Sequence, residues 1–263
     1  IDLFLLPRFQ PIELLKPFLI IILASVLSNN KNSNLYLKYL LSIVIISTIS
    51  LFLIMQPDIG QTLLVVFSWG VLIFTSGINI FFLLVFAILL SILLTFLIIY
   101  VPRFDYIQGR IFSFFNRDTG AHNFQSDKAI DSIISGGFFG KGIGEGTLKN
   151  RVPEAHTDYI ISVISEEFGV IAIMLILLLF LILIYRVLKK VNYEKNEKAK
   201  LVLIGCVSLI LMQVTIHVGV NIRLFPTTGM TLPFLSYGGS SIVSISILSG
   251  IILNLTKRKI DQY

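Results

Sequence analysis

Apolar residues along this chain come in runs of about twenty, the length of helix that crosses roughly 30 Å of hydrocarbon, and polar residues collect in the gaps. The runs cover about 11–28, 36–55, 59–77, 79–101, 158–185, 201–222 and 233–255. They predict an all-α, polytopic membrane protein with seven spanning helices. Two connections are very short. Gln56-Pro57-Asp58 places a proline at the start of the third helix, where first-turn N–H groups lack partners anyway. Gly77-Ile78-Asn79 joins the third helix to the fourth. The one long gap, 102–157, reads as a large extracytoplasmic loop within a single integral membrane domain, 1–263. It is rich in glycine (Gly136, Gly137, Gly140, Gly142, Gly144, Gly146) but also carries Phe112, Phe114, Phe115, Phe138 and Phe139. That mixture predicts short amphipathic pieces rather than a structureless loop.

Composition agrees. Hydrophobic residues make up 55% of the chain and charged residues 14%, with a mean hydropathy of +0.88. Soluble domains sit nearer 45–50% and about 25%. The net charge of +6 does not indicate nucleic-acid binding, because the cations sit at helix ends, where the positive-inside rule places them. Arg186, Lys189, Lys190, Lys195, Lys198 and Lys200 face only Glu194 and Glu197; Lys257, Arg258 and Lys259 follow the last run; Lys31 and Lys38 flank the first short loop. Seven alternating helices put all three groups, and the C-terminus, on the cytoplasmic side. Pro57-Asp58, 102–157 and 223–232 then face outward. The lone Cys206 excludes an internal disulfide. Ile1 begins without a methionine or a basic leader, so the expectation is that the chain lacks its beginning.

Some polar residues do not suit a membrane helix. The stretch VPEAHTDYIISVISEEFG (152–169) leads into a long apolar run and yet carries Asp158, Glu166 and Glu167. Thr157 suits an N-cap, with Asp158 in the first helical turn, where the helix dipole favours a carboxylate. At 100° per residue, Ser162, Ser165, Glu166 and Gly169 lie within about 80° of Asp158 and form one polar stripe, while Glu167 points away. A charge near the bilayer centre costs roughly 2.5–3.5 kcal/mol, and such residues face a bundle interior or a wet cavity. The stripe therefore reads as the wall of a cavity open to the outside, with Asp158 at its mouth.

RFQPIELLKP (8–17) places Glu13 and Lys16 on one helix face, just after Arg8. A structural ion pair and a cationic wall for an anionic substrate both fit. NIRLFPTTGMTLPFLSYGGSS (221–241) forces non-helical backbone before the final helix, and Gly238, Gly239, Ser240 and Ser241 permit close packing. His122, His156 and His217 show no metal-ligand spacing, and neither a phosphate-binding P-loop motif nor GxGxxG is present.

Taken together, RFQPIELLKP, QPDIGQTLL, VPEAHTDYIISVISEEFG and PTTGMTLPFLSYGGSS resemble, in order, the motifs of the SEDS family (RodA, FtsW, SpoVE), polytopic membrane glycosyltransferases that polymerise lipid II into glycan strands of peptidoglycan. The resemblance covers essentially the whole chain. It implies that the seven runs match the last seven of ten family helices, with roughly the first third absent. GEGTLKNRVPEAHTDY and the last motif resemble the division branch, FtsW, more than RodA. Ile12, His217 and Thr228 depart from the usual serine, asparagine and lysine, and none of these touches the acidic positions.

Carried onto this chain, the resemblance implies Asp158 as the catalytic residue. Arg8, Glu13, Lys16, Arg110, His156 and Glu166 are the implied substrate-binding residues. A base beside the acceptor hydroxyl and cations around the donor diphosphate suit glycosyl transfer. A divalent cation, Mg²⁺ or Mn²⁺, is left open, since no ligand set is readable. The implied setting is the bacterial cytoplasmic membrane, at the division septum. The implied partners are lipid II, a class B penicillin-binding protein transpeptidase and other division proteins. Two rivals need no base: a lipid II flippase or transporter, and a non-enzymatic division scaffold. The acid at the outer mouth, not at the midplane where transporter sites lie, favours the enzyme.

Overall fold

The computed structural model describes residues 10–28, 35–116, 121–148 and 152–257, and among them the regular structure is entirely helical. The elements in chain order are α1 (Pro11–Leu27), α2 (Leu35–Met55), α3 (Ile59–Thr75), α4 (Ile80–Tyr100), α5 (Asp105–Asn116), α6 (Ala121–Gly136), α7 (Ile160–Val191), α8 (Glu197–Asn221) and α9 (Gly239–Thr256), with a short 3₁₀ turn between α4 and α5. Helices stand at all seven expected positions. Five of them (α2, α4, α7, α8 and α9) are long and apolar enough to cross a membrane. At 17 residues each, α1 and α3 extend about 25 Å. This is a multi-pass helical membrane protein.

Local chemistry sets the boundaries. Asp58 caps α3, its carboxylate accepting the Gln61 N–H at 3.1 Å. Asn79 caps α4 through the Phe81 N–H, after Gly77 (φ +95°) has turned the chain in a conformation that disfavours a Cβ. Asn196 caps α8 through the N–H groups of Lys198 and Ala199. Within the long 102–157 gap, α5 and α6 supply the expected helical pieces.

Helix α8 is the central post. Of its spanning window 72% is buried, and α1, α3 and α7 pack around it. Gly205 lets α1 approach closely: a Cβ there would stand 2.5 Å from the Ile20 side chain. Helix α4 is the opposite case. It is apolar all round with none of its window buried, as a lipid-facing helix should be. It leans against α3 through the Trp69–Phe86 edge contact, ring centroids 5.0 Å apart. The wedge beside it leaves an apolar groove of about 520 Å³, lined by Leu63, Phe67, Trp69, Leu83, Phe86 and Met212 among others.

Candidate active site

The polar residues gather at one end of the bundle, where α3 begins and α8 ends. Glu13 and Lys16 are both buried in α1 and lie 2.7 Å apart. The other Glu13 oxygen accepts the Gln61 amide from α3 at 2.7 Å. Two buried charges persist in such surroundings only when paired and hydrogen-bonded, and here one face of α3 completes the pair. Gln10 donates to Asp58 at 3.4 Å, which ties the start of α1 to the cap of α3. Burial pushes the Asp58 carboxyl above its usual value, and Glu13 adds to this. The Gln61 N–H and the Lys16 and Arg110 charges oppose it.

Asp158 occupies the turn before α7, held by its own backbone. Its N–H donates to Glu154 O at 3.0 Å, and its carbonyl accepts the Asn221 amide from α8 at 3.1 Å. The preceding residues are fastened to the 222–238 loop: Ser236 Oγ donates to Thr157 O at 2.6 Å, and the Tyr237 N–H to His156 O at 2.9 Å. That loop is fixed in turn by α8. Gln213 donates to Thr231 O, and His217 Nδ1 lies 2.7 Å from Met230 O. The Asp158 carboxylate is half-buried, with Oδ2 3.4 Å from where a Cβ on Gly229 would sit. Burial, then the Glu154 charge, raises it to about 6, while a hydrogen bond from Thr157 and the Arg110 charge pull the other way.

A cavity of about 360 Å³ opens beside Asp58 and Arg110, lined also by Gly60, Met212 and Thr228; Asp158 is not in its wall but lies against Gly229, next to Thr228. Arg110, from α5, donates to Thr227 O at 2.9 Å, and its charge bears on both Asp58 and Asp158. Leu63 and Met212 line both this cavity and the apolar groove beside α4, so the two lie side by side. A half-buried carboxylate with a raised pKa near a cation is a candidate general base.

The structure redistributes several expectations. Asp158, Glu13, Lys16 and Arg110 share this end of the bundle. Arg8 lies outside the described residues. His156 is exposed, and its backbone carbonyl is what holds the site together. Thr157 is not the helix cap: its hydroxyl donates to Glu154, and α7 starts at Ile160, which leaves Asp158 in the turn. The polar stripe of Ser162, Ser165 and Glu166 does not line a cavity. All three are fully buried under α6 and the segment after it. Glu166 accepts the Leu148 N–H at 2.9 Å and lies 3.9 Å from Lys141, so it holds that segment rather than this site. Helical spacing alone cannot tell a cavity wall from a packing face. Among the described residues no three His, Cys, Asp or Glu side chains stand together as metal ligands. Glu13 is already engaged by Lys16 and Gln61. Asp58, Gln61 and Asn221 belong to the site and were not singled out by the sequence. Asp58 and Gln61 both lie within the motif QPDIGQTLL, Asp58 in the connection before the third run and Gln61 inside that run, and neither was given a role there.

A profile for the FtsW/RodA/SpoVE family, described as "Cell cycle protein", matches residues 3–260. The chain belongs to that family. Among FtsW/RodA/SpoVE proteins it is 31% identical over 261 residues to the "Probable peptidoglycan glycosyltransferase FtsW" of Caulobacter vibrioides, covering 97% of this chain and 64% of that protein. It is 35% identical over 253 residues to stage V sporulation protein E of Bacillus subtilis, covering 94% and 68%. The chain thus spans about two thirds of the length of these relatives. A solved structure concerning the coordination of polymerization and crosslinking by a peptidoglycan synthase complex contains a similar chain, with a TM-score of 0.77 and 27% identity, covering 98% of this chain and 74% of that one.

Proposed function

We propose that the protein is a peptidoglycan glycosyltransferase that polymerises lipid II at the outer face of the bacterial cytoplasmic membrane, in septal wall synthesis. The C-terminus and the basic 186–200 segment are then cytoplasmic. The observation that carries this reading is Asp158: a half-buried carboxylate raised to about 6, within reach of the Arg110 charge and against Gly229, whose neighbours Thr227 and Thr228 wall a cleft that adjoins an apolar groove.

The residues divide the work. The groove beside α4 receives a polyprenyl chain. The cavity receives the diphosphate, whose charge Arg110 meets. The Glu13–Lys16–Gln61 set holds α1 against α3 and adds a fixed dipole behind Asp58. The Asp158 carboxylate takes the proton from the acceptor sugar hydroxyl as that oxygen attacks the anomeric carbon of the donor. The carbon–oxygen bond to the diphosphate breaks, and the diphosphate leaves with the electron pair. A transporter has no use for a base poised near neutral pH at the mouth of its groove. The names of the relatives, a glycosyltransferase and a synthase complex, support the same assignment. The chain's own described residues form no separate soluble domain able to crosslink strands, so the proposal includes a class B transpeptidase partner. Co-purification of the two from mild detergent checks this, and recovery of each alone counts against it.

The base must be ionised to act. The rate therefore falls about tenfold per pH unit below the Asp158 pKa and reaches half its plateau near pH 6. Initial rates of strand formation across the range from acid to mildly alkaline pH provide the test. A flat profile removes Asp158 from the role.

A further inference from the structure

Helix α7 is broken at Gly169, whose φ of 80° and ψ of 174° are far from helical. A break there deprives the Val170 and Ile171 N–H groups of their usual acceptors, Glu166 O and Glu167 O. The segment after α6 mends both halves. Val170 and Ile171 donate to Gly137 O (3.0 Å) and Phe138 O (3.4 Å), while Lys141 and Gly142 donate to Glu166 O (2.8 Å) and Glu167 O (3.0 Å). Two lost helical bonds are replaced by four between segments. Three glycines make the crossing close enough: a Cβ on Gly136, Gly140 or Gly169 would stand 1.9, 2.2 or 2.1 Å from Ser165 O, Glu167 O or Phe138 O. Side-chain contacts strengthen it, with Leu148 and Gly144 donating to the Glu166 and Glu167 carboxylates.

The depth of this splice matters. From Val170 to Tyr185, the last residue before Arg186, α7 extends about 24 Å at 1.5 Å per residue, short of the roughly 30 Å of hydrocarbon. The splice at Gly169 therefore lies just inside the outer edge of the hydrocarbon, up to about 18 Å of helix below Asp158. At that level the spliced segment turns large apolar side chains outward: Phe138 is 73%, Phe139 84% and Ile143 77% exposed. Phe168, Ile171 and Met174 of α7 are exposed as well. Irregular backbone survives at membrane depth only where protein satisfies its polar groups, and the four exchanged bonds do that.

We propose that residues 136–143 form a re-entrant hook seated in the lipid leaflet at the active-site end of the bundle. Phe138, Phe139 and Ile143 lie among the upper acyl chains, while the Lys141 ammonium stays 3.9 Å from the buried Glu166. Phe and Ile side chains are favoured in hydrocarbon. Because the hook is spliced into α7, it sets the height of Asp158 above the headgroup plane. This rests on the membrane fold and not on the glycosyltransferase reading.

The test uses the protein's single tryptophan. Phe139→Trp is made in a Trp69→Phe background, so that the introduced indole is the sole source of tryptophan fluorescence. The protein is reconstituted in phosphatidylcholine vesicles, either plain or brominated on the upper acyl carbons. The hook predicts quenching of this indole by at least half in the brominated vesicles and protection from aqueous iodide. Gly140→Leu, which drives a side chain into Glu167 O, should reverse both effects while far-ultraviolet circular dichroism reports retained helix. If the indole is open to iodide and untouched by bromine, or becomes shielded only when a second protein is added, the hook is wrong and the patch faces water or a protein.

Discussion

Replacing Asp158 by asparagine separates chemistry from scaffolding. The bonds that place residue 158 run through its backbone N–H and C=O, to Glu154 and from Asn221, and asparagine keeps both. The amide is nearly the size of the carboxylate, so the space beside Gly229 is still filled. What disappears is a charge that burial disfavours strongly enough to lift its pKa from 3.8 to about 6. The variant should fold at least as stably as the parent, with an unchanged or higher midpoint of thermal unfolding in detergent. Activity should behave otherwise. A general base contributes about 10²–10⁴-fold, or roughly 3–5 kcal/mol of barrier at about 1.4 kcal/mol per tenfold. Strand formation from fluorescent lipid II, separated by gel, covers that range. A loss of at least about 100-fold at undiminished stability supports the base. A variant within a few-fold of the parent refutes it, and a comparable loss of activity and stability together shows that the side chain was structural.

Two further outcomes follow from other parts of the molecule. Glu13→Gln or Lys16→Met strands the partner as an uncompensated buried charge, at a cost of roughly 3–5 kcal/mol, whereas the double variant removes both charges and recovers most of the stability; thermal unfolding in detergent measures this, and single variants as stable as the parent would contradict the buried pair. Exposed Glu145 and Asn196, each changed to cysteine in a Cys206→Ser background, should react with an impermeant maleimide from opposite sides of the membrane, and labelling of both from one side overturns the proposed topology.

The sequence carried the architecture because hydrocarbon thickness imposes a coarse length rule, and seven apolar runs of the right length sufficed to locate α1–α4 and α7–α9. Arg110, in the 102–157 gap, came only from the family resemblance, whereas Asp158, Glu13 and Lys16 were legible because their residue types are costly in a membrane. Glu166 was misplaced by the same reasoning. A buried carboxylate in an apolar helix signals an unusual environment, but the Leu148 N–H that satisfies it comes from a loop whose path no periodicity reveals. The break at Gly169 was hidden for a related reason, since a single glycine in a helical run reads as a packing residue until its φ is known. Asp58 and Asn221 needed the third dimension: one looked like a turn residue and the other like a helix end, and only their convergence with Arg110 and Asp158 brings them into the site.

The most direct measurement places the purified protein in vesicles with fluorescent lipid II in both leaflets and follows two products at once, glycan strands and lipid II that has crossed the bilayer. The account predicts strands of increasing length, lost with Asp158→Asn, and no crossing above that of protein-free vesicles. Protein-dependent crossing of lipid II without strands, unchanged in the Asp158→Asn variant, would contradict it and make the cavity and groove a transport path.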